Sequence, residues 1–336
     1  MAVQEVDPRD DAGFAAWFAV LDASLELARP GEPHWDAREQ RELALAGHVP
    51  PGDDPSRVSA VRLLLHDPAG GAAGVTLWQR DNQHLAELVL EVHPDARRRG
   101  IGTGLLAEAQ RRARAAGRTS LSAMVDEPGP GTPGRAFAER HGFHCGLVEV
   151  RRDLALPADA ARLAALEQEA LVASAGYAAR TWRDDTPEEL LEDRALLERR
   201  LSTDAPSGDQ PYEEEVWDAA RIREREAVNV RQGRTRFAAG ALRDGRLVAF
   251  SEIALPLAVP QKAYQWGTLV LREHRGHRLG ALVKLAALRA LSAASPATSS
   301  VTTWNADSNQ PIIAVNEALG FRTAGLLTSW HRSLAA

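Results

Sequence analysis

The sequence predicts a mixed α/β chain built from two tandem modules of one design, on three observations. A Gly/Arg-rich turn, Arg97-Arg98-Arg99-Gly100-Ile101-Gly102, returns as Arg275-Gly276-His277-Arg278-Leu279-Gly280, with Gly280 placed 178 positions after Gly102. A "GF" pair that closes a short helix-like stretch, with Phe143 in one copy and Phe321 in the other, repeats at the same offset of 178. Between these anchors both halves run through the same order of helix-like and strand-like segments. Self-similarity at one fixed offset is the signature of a duplicated supersecondary unit.

In the first half "DDAGFAAWFAVLDASLELA" opens as a helix. "SAVRLLLHD" and "AAGVTLWQR" follow as strands around the turn-like "PAGG". "HLAELVLEV" is a third strand, with Leu88, Leu90 and Val92 on one face and Glu87, Val89 and Glu91 on the other. After the turn, "GLLAEAQRRARAAG" has helical spacing and a terminal glycine. "TSLSAMV", "GRAFAERHGF" and "GLVEVRRDLAL" complete the half as strand, short helix and closing strand.

The second half repeats this order. "TRFAAGALRDGRLVAFSEIAL" is a hairpin around Asp244-Gly245, "YQWGTLVL" the strand before the turn, and "LGALVKLAALRALSA" the helix after it. "SSVTTWN", "QPIIAVNEALGF" and "TAGLLTSWHRSL" supply strand, helix and strand. The boundaries follow as a first module over 1–156, a linker helix over 157–175 and a second module over 176–336. "STDAPSGDQP" is too short to divide domains and reads as a loop within the second half.

Composition narrows the function. A length of 336 residues suits two domains, and a net charge of −6 argues against a general nucleic-acid binder, which needs a basic footprint. Lys262 and Lys284 are the only lysines, so arginine carries nearly all positive charge, and a run such as Arg111-Arg112-Ala113-Arg114 reads as a solvated helix face. The single cysteine, Cys145, excludes an intramolecular disulfide and a cysteine metal cluster, and no metal is expected. The acidic start "MAVQEVDPRDD" lacks the apolar core of a signal peptide, and no apolar run approaches the roughly 18 residues of a membrane span. A cytoplasmic protein without membrane contacts is expected.

In each half a strand ends, the Gly/Arg turn follows and a helix begins. Backbone N–H groups then converge at the positive end of a helix, which makes an anion site, and flanking arginines add forked donors. The turn is not a P-loop, because no Lys-Ser/Thr pair follows the glycines, nor the G-x-G-x-x-G of a dinucleotide domain. Taken alone, it reads equally as a turn with solvated arginines.

The R-x-x-G-x-G of Arg97, Gly100 and Gly102, after a strand and opening a helix, resembles the acetyl-CoA motif of the GCN5-related N-acetyltransferases (GNAT), and so do the paired "GF" segments. The resemblance spans nearly the whole chain. It implies two GNAT-type modules, each a mixed, mostly antiparallel sheet flanked by helices and splayed at the strand before the turn. It implies acetyl-CoA as cosubstrate, its pantetheine beside Leu90 and Val92, and its pyrophosphate on the turn formed by Arg97, Arg98, Arg99, Gly100, Ile101, Gly102 and Thr103. At the 178 offset the second half would use Val270 with Arg275, Gly276, His277, Arg278, Leu279, Gly280 and Ala281.

The pattern departs from the family in both halves. Arg278 stands where the middle glycine would, and it can offer its N–H if φ stays negative. "WNADSNQPIIAVNEALGF" holds Asn305 and Asn309, either beside the cofactor or capping the next helix, whereas the first half has "DEPGPGTPGRAFAERHGF". Where many members have a tyrosine as acid to the CoA thiolate, this chain has Ala138 and Asn316. The base the resemblance implies falls on Glu87; Gln265 replaces it in the second half, where Tyr264 and Glu252 are the candidates. Each of these also reads as a solvent-facing strand residue. His274 and His277 flank the second turn, where phosphate binding suits them.

The expected function is acyl-CoA-dependent N-acyl transfer, acetyl passing by direct attack to a primary amine of a small molecule. The backbone N–H of Val92 or Val270 would polarise the carbonyl, and the asparagines favour the second half. A non-catalytic acyl-CoA-binding tandem protein is the alternative, favoured by the missing tyrosines and Gln265. The acceptor would meet segments 29–55 and 180–215. Within the latter, Glu213-Glu214-Glu215 either attracts a cation or starts a helix. A monomer or homodimer is expected, with no nucleic-acid partner.

Overall fold

The computed structural model describes residues 3–32, 36–50, 52–127, 129 and 131–334. In chain order it holds β1 (Gln4–Val6), α1 (Asp11–Ala28), α2 (Ala37–Ala46), β2 (Ala60–Asp67), β3 (Gly71–Trp78), β4 (Leu85–Val92), α3 (Ile101–Ala115), β5 (Ser120–Glu127), α4 (Pro133–Arg140) and β6 (His144–Ala155). There follow α5 (Ala160–Ala173), β7 (Ala178–Arg183), α6 (Leu191–Asp204), α7 (Ala219–Arg231), β8 (Arg234–Arg243), β9 (Arg246–Pro256), β10 (Lys262–Val270), α8 (Leu279–Ala294), β11 (Ser300–Ala306), α9 (Gln310–Leu319) and β12 (Arg322–Ser333).

Two compact units form, and they are not the two sequence halves. The first comprises residues up to Val148, the short segment Ser207–Glu213 and the chain from Leu326 onward; the second comprises Glu149–Pro206 and Glu214–Gly325. Strand order in the first is β1-β2-β3-β4-β5-β12, antiparallel except for the parallel β4–β5 pair. In the second it is β6-β11-β10-β9-β8-β7, antiparallel except for the parallel β10–β11 pair. Each unit is therefore a mixed, mostly antiparallel sheet flanked by helices.

The expected boundaries at 156 and 176 need correction because the closing strands are exchanged. From Glu149 to Ala155, β6 pairs antiparallel with β11 of the second unit. From Leu326 to Ser333, β12 pairs with β5 of the first. The two closing strands occupy equivalent places in the repeat, so either can satisfy the same open backbone edge, and a repeat pattern does not say which one does. The expected linker helix forms as α5, but it is part of the second unit: Leu166 and Ala170 enter its core, and Arg162 Nη1 donates to the Glu317 carbonyl at 3.2 Å.

The helix faces follow the apolar pattern. Asp10 caps α1 by accepting from the amides of Ala12 and Gly13, and the helix buries Phe14, Trp17, Val20 and Leu21 on one face of the first sheet. Trp17 Nε1 donates to the Ala73 carbonyl at 3.0 Å. On the opposite face α3 buries Ile101, Leu105, Leu106, Ala109 and Ala113. The β8–β9 hairpin turns at Asp244 (φ 52°) and Gly245 (φ 79°), the two positive φ values of a type I′ turn.

β1, α2, β7, α6 and α7 are not among the elements that the sequence pattern predicts. Nor do Glu213 to Glu215 start a helix; α7 begins at Ala219, capped by Asp218. Of the acceptor segment 29–55, residues 33–35 and 51 lie outside the described residues, as do Pro128 and Pro130 of the first half's glycine-proline stretch. Among the described residues no helix is long and apolar enough to cross a membrane.

Lys284 of α8 is 1% exposed, and burial lowers its ammonium pKa to about 7, from an ordinary 10.5. At the 178 offset its counterpart is Leu106, buried in the first unit. A folded-state value below the unfolded one means that the unfolded chain binds the extra proton, so stability rises as pH climbs from about 7 towards 10.5. Lys284→Leu is therefore expected to stabilise the protein by about 1–3 kcal/mol at pH 7. Thermal unfolding at pH 7 and pH 9 checks this, with the smaller gain at pH 9.

Candidate functional site

The first unit's cleft arises from how β4 is paired. It stays on β3 from Ala86 to Val92, but it pairs with β5 only from Leu85 to Leu88. Beyond Leu88 the two strands part. The His93 N–H donates to the Gly70 carbonyl at 2.9 Å, and antiparallel alternation then directs the backbone groups of Leu90 and Val92 away from β3, into the opening. Arg97 Nε takes the Val92 carbonyl at 3.1 Å, leaving the N–H groups on that edge.

The turn after β4 reaches α3 through two left-handed residues, Arg98 (φ 64°) and Gly100 (φ 85°). The first helical bond runs from the Gly104 N–H to the Gly100 carbonyl at 3.1 Å. The amides of Ile101, Gly102 and Thr103 thus precede the helical ladder, and no side chain among the described residues caps them. They edge a cavity of about 530 Å³ lined by Leu90 to Val92, the turn, and Phe137, Arg140 and His141. A Cβ on Gly102 would stand 3.2 Å from Phe137 and 3.4 Å from Val92. Arg98 and Arg99 are exposed, and among the described residues no carboxylate pairs with them. Open amides and uncompensated guanidinium groups suit a polyanion.

Two carboxylates face the α1 side of β4. Ser24 Oγ donates to Glu91 Oε2 at 2.5 Å and accepts from Arg97 Nη2 at 2.8 Å, which ties α1 to the turn. Burial raises the Glu91 pKa against the pull of Ser24 and Arg97. Glu87 is half-buried, and the Tyr212 hydroxyl lies 3.5 Å from its Oε1. Thr103 Oγ1 meets His141 Nε2 at 3.3 Å, and burial, then Arg140 and Arg332, lower the His141 pKa.

The second unit repeats the backbone with different electrostatics. β10 pairs with β11 only from Lys262 to Tyr264, bulges between Gln265 and Thr268, and then splays. Arg275 Nε donates to the Val270 carbonyl at 3.2 Å, the counterpart of Arg97 on Val92. The left-handed residues are Gly276 (φ 87°) and Arg278 (φ 49°), so glycine and arginine have traded places between the two turns. The expectation of a negative φ at Arg278 is overturned: the helix entry requires the left-handed conformation, which arginine adopts at a cost on the order of 1 kcal/mol. Here the arginines are compensated. Arg272 and Arg275 each pair with Asp204 at 2.7 Å, and Arg278 pairs with Glu169 at 2.7 Å. The amides of Leu279, Gly280 and Ala281 precede the helical ladder as before, and a carboxylate stands beside the turn.

The structure separates the second half's catalytic candidates. Glu252 is 3% exposed and closed in by Arg194 (3.0 Å), Arg236 (3.3 Å) and Arg225 (3.8 Å). Burial alone would raise its pKa, but the three arginines outweigh it and hold the carboxyl well below the usual range, so Glu252 is unsuited to take a proton. Tyr264 stacks on Trp304, with ring centroids 6.0 Å apart. Asn305 Oδ1 accepts from Asn316 Nδ2 at 2.6 Å, and Asn309 occupies the cap position of α9 without a side-chain capping bond. Tyr177 bonds His274 at 3.0 Å and packs on His277 at 5.3 Å. Breaking a buried ion cluster strands its cations, so Glu252→Gln is expected to cost about 3–5 kcal/mol in urea unfolding while the folded variant keeps its ligand affinity.

Glu91, Ser24, Phe137, His141 and Tyr212 were missed by the sequence reading. Strand alternation places Glu91 on the face of Glu87 and could have flagged it. Nothing local ties Ser24 or Tyr212 to β4, because those contacts span 67 and 125 positions.

Residues 17–143 match the acetyltransferase (GNAT) family model. The whole chain is similar to a tandem GNAT protein from the clavulanic acid biosynthesis pathway, solved without acetyl-CoA, at 28% identity and a TM-score of 0.78, covering 100% of this chain and 99% of that one. A GCN5-related N-acetyltransferase from Sphaerobacter thermophilus shares the fold at 16% identity and a TM-score of 0.64, covering 100% and 96%. So does the GCN5-related glucosamine N-acetyltransferase region of a fungal multi-domain GH3 beta-N-acetylglucosaminidase, at 12% identity and a TM-score of 0.67, over 98% of this chain and 38% of that one. No curated protein sequence matches the chain.

Proposed function

We propose that this chain, a tandem GNAT-fold protein whose residues 17–143 are a GNAT-family acetyltransferase domain, transfers acetyl from acetyl-CoA to a primary amine of a small molecule, and that its first unit does the work. The observation that carries this reading is the contrast between the turns. Arg98 and Arg99 have no carboxylate partner among the described residues beside a cavity of about 530 Å³, whereas Arg275 and Arg278 of the second turn pair with Asp204 and Glu169. The preference for the second half, drawn from Asn305 and Asn309, gives way to this charge balance.

The pyrophosphate would rest on the amides of Ile101, Gly102 and Thr103, and the pantetheine along the open edge at Leu90 and Val92. Glu87 takes a proton from the acceptor ammonium, directly or through water. The free amine attacks the thioester carbonyl, whose developing oxyanion the Val92 N–H stabilises. The C–N bond forms, the C–S bond breaks, and the sulfur leaves as a thiolate. The nitrogen, cationic after attack, sheds its second proton to become the amide, and that proton, passed directly or through water, balances the one the thiolate takes up. Ser24 and Glu91 hold Arg97, and so the turn, in register with β4.

Calorimetric titration with acetyl-CoA, followed by a CoA-release assay over a panel of amines, tests the reading. Binding of about one acetyl-CoA per chain with release on at least one amine is expected. Binding without turnover on any amine would favour the non-catalytic alternative, and no binding would sink both.

A further inference from the structure

The segment Ser207–Glu213 lies in the second half of the sequence yet belongs to the first unit. We propose that it is a strap completing the acceptor side of the first unit's site, with Tyr212 as a positioning residue for Glu87; this rests on the reading of Glu87 as the base.

The strap is held at nearly every residue. The Asp209 N–H donates to the Gly146 carbonyl at 2.9 Å, and Gln210 Nε2 donates to the Ser329 carbonyl at 2.9 Å. His84 Nε2 meets the Pro211 carbonyl at 2.7 Å, and the Glu213 N–H donates to Asn82 Oδ1 at 2.8 Å. A carbonyl only accepts, so His84 Nε2 carries the proton, while Nδ1 faces the Glu213 carboxylate at 3.4 Å. Gly208 passes so close to Gly146 that a Cβ on it would strike the Gly146 carbonyl oxygen.

What these anchors fix is an exposed side chain. Tyr212 is 41% exposed, between the pinned Pro211 and Glu213, with its hydroxyl on Glu87. Ordering an exposed tyrosine contributes little to a core, so its hydroxyl is the group the strap presents. Register and alternation put Val89 and Glu91 of β4, and Ser122, Met124 and Asp126 of β5, on the face of Glu87. Met124 is 64% exposed there and gives the face of Glu87 an apolar floor, while Asp126 pairs with Arg29 at 2.8 Å and Glu91 is held by Ser24 beside Arg97. The phenol donates to Glu87, fixes its rotamer and favours its ionised form. The other ionisable groups on this side include Glu91 with Arg97 beside it, Asp126 with its partner Arg29, Arg62 and His331 in the cross-strand row of Glu87, and Glu213 and His84.

Carboxyl-carbon NMR of ¹³C-glutamate-labelled protein, with the Glu87 signal assigned through Glu87→Gln, reads the contact without requiring turnover. Tyr212→Phe, which keeps the ring, is expected to move the Glu87 titration up by about 0.5–1 pH unit. The acid limb of kcat/KM should follow it, with a loss of about 3–10-fold and acetyl-CoA affinity unchanged. An unmoved titration in Tyr212→Phe overturns the assignment even if the variant turns over. Wild-type protein that binds acetyl-CoA but acetylates no amine overturns the acyltransferase reading instead, and the carboxyl titration still decides the role of Tyr212.

Discussion

Gly102→Trp is expected to weaken acetyl-CoA binding at least about 100-fold, whereas Gly280→Trp leaves the affinity within about threefold; 100-fold is about 2.7 kcal/mol. The first change puts an indole where a Cβ already approaches Phe137 and Val92, in the mouth of the cavity edged by the open amides. The second meets Val270 at an ordinary contact distance of 3.9 Å, beside a turn whose Arg275 and Arg278 already pair with Asp204 and Glu169. Both positions lie in the first turn of an exposed-entry helix, so both variants should fold. Titration calorimetry on the two proteins checks the difference, with matched circular dichroism as the folding control. Equal losses would mean that both turns hold the cosubstrate.

Glu87→Gln is expected to lower kcat at least about 100-fold and leave acetyl-CoA affinity unchanged, the range for loss of a positioned base. Glutamine keeps the shape and the hydrogen bond from Tyr212 but cannot accept the ammonium proton. Activity should return in part as pH rises towards the amine's own pKa, because the acceptor then arrives deprotonated. Steady-state rates from pH 6 to 10 check this. A flat deficit across that range would show that Glu87 serves structure rather than proton transfer.

Much of this was legible in the residues because it is local. The strand-turn-helix order around Arg97 to Thr103 depends on glycine placement and on alternation in β4, and both are written within a few positions of one another. Asp244-Gly245 marked its hairpin for the same reason. The exchange of β6 and β12 was not legible, since equivalent strands carry equivalent patterns and only three-dimensional pairing chooses between them. The fate of Glu252 was hidden as well: its partners Arg194, Arg225 and Arg236 lie on three different elements, α6, α7 and β8. The traded glycine and arginine at Arg98, Gly100, Gly276 and Arg278 shows how a motif can lose its spelling and keep its backbone, because both turns still place two residues in the left-handed region. Tyr212 was out of reach because a tyrosine in a loop carries no sign of which unit it will join.

Of the two similar turns, the one after β4 is expected to be the working acetyl-CoA site. A crystal structure of the protein with acetyl-CoA tests this most directly. The expected result is one cosubstrate per chain, with its pyrophosphate on the amides of Ile101, Gly102 and Thr103 and its acetyl group beside β4 on the path to Glu87. A cosubstrate seated instead on Leu279, Gly280 and Ala281, with the first cleft vacant, would contradict the account.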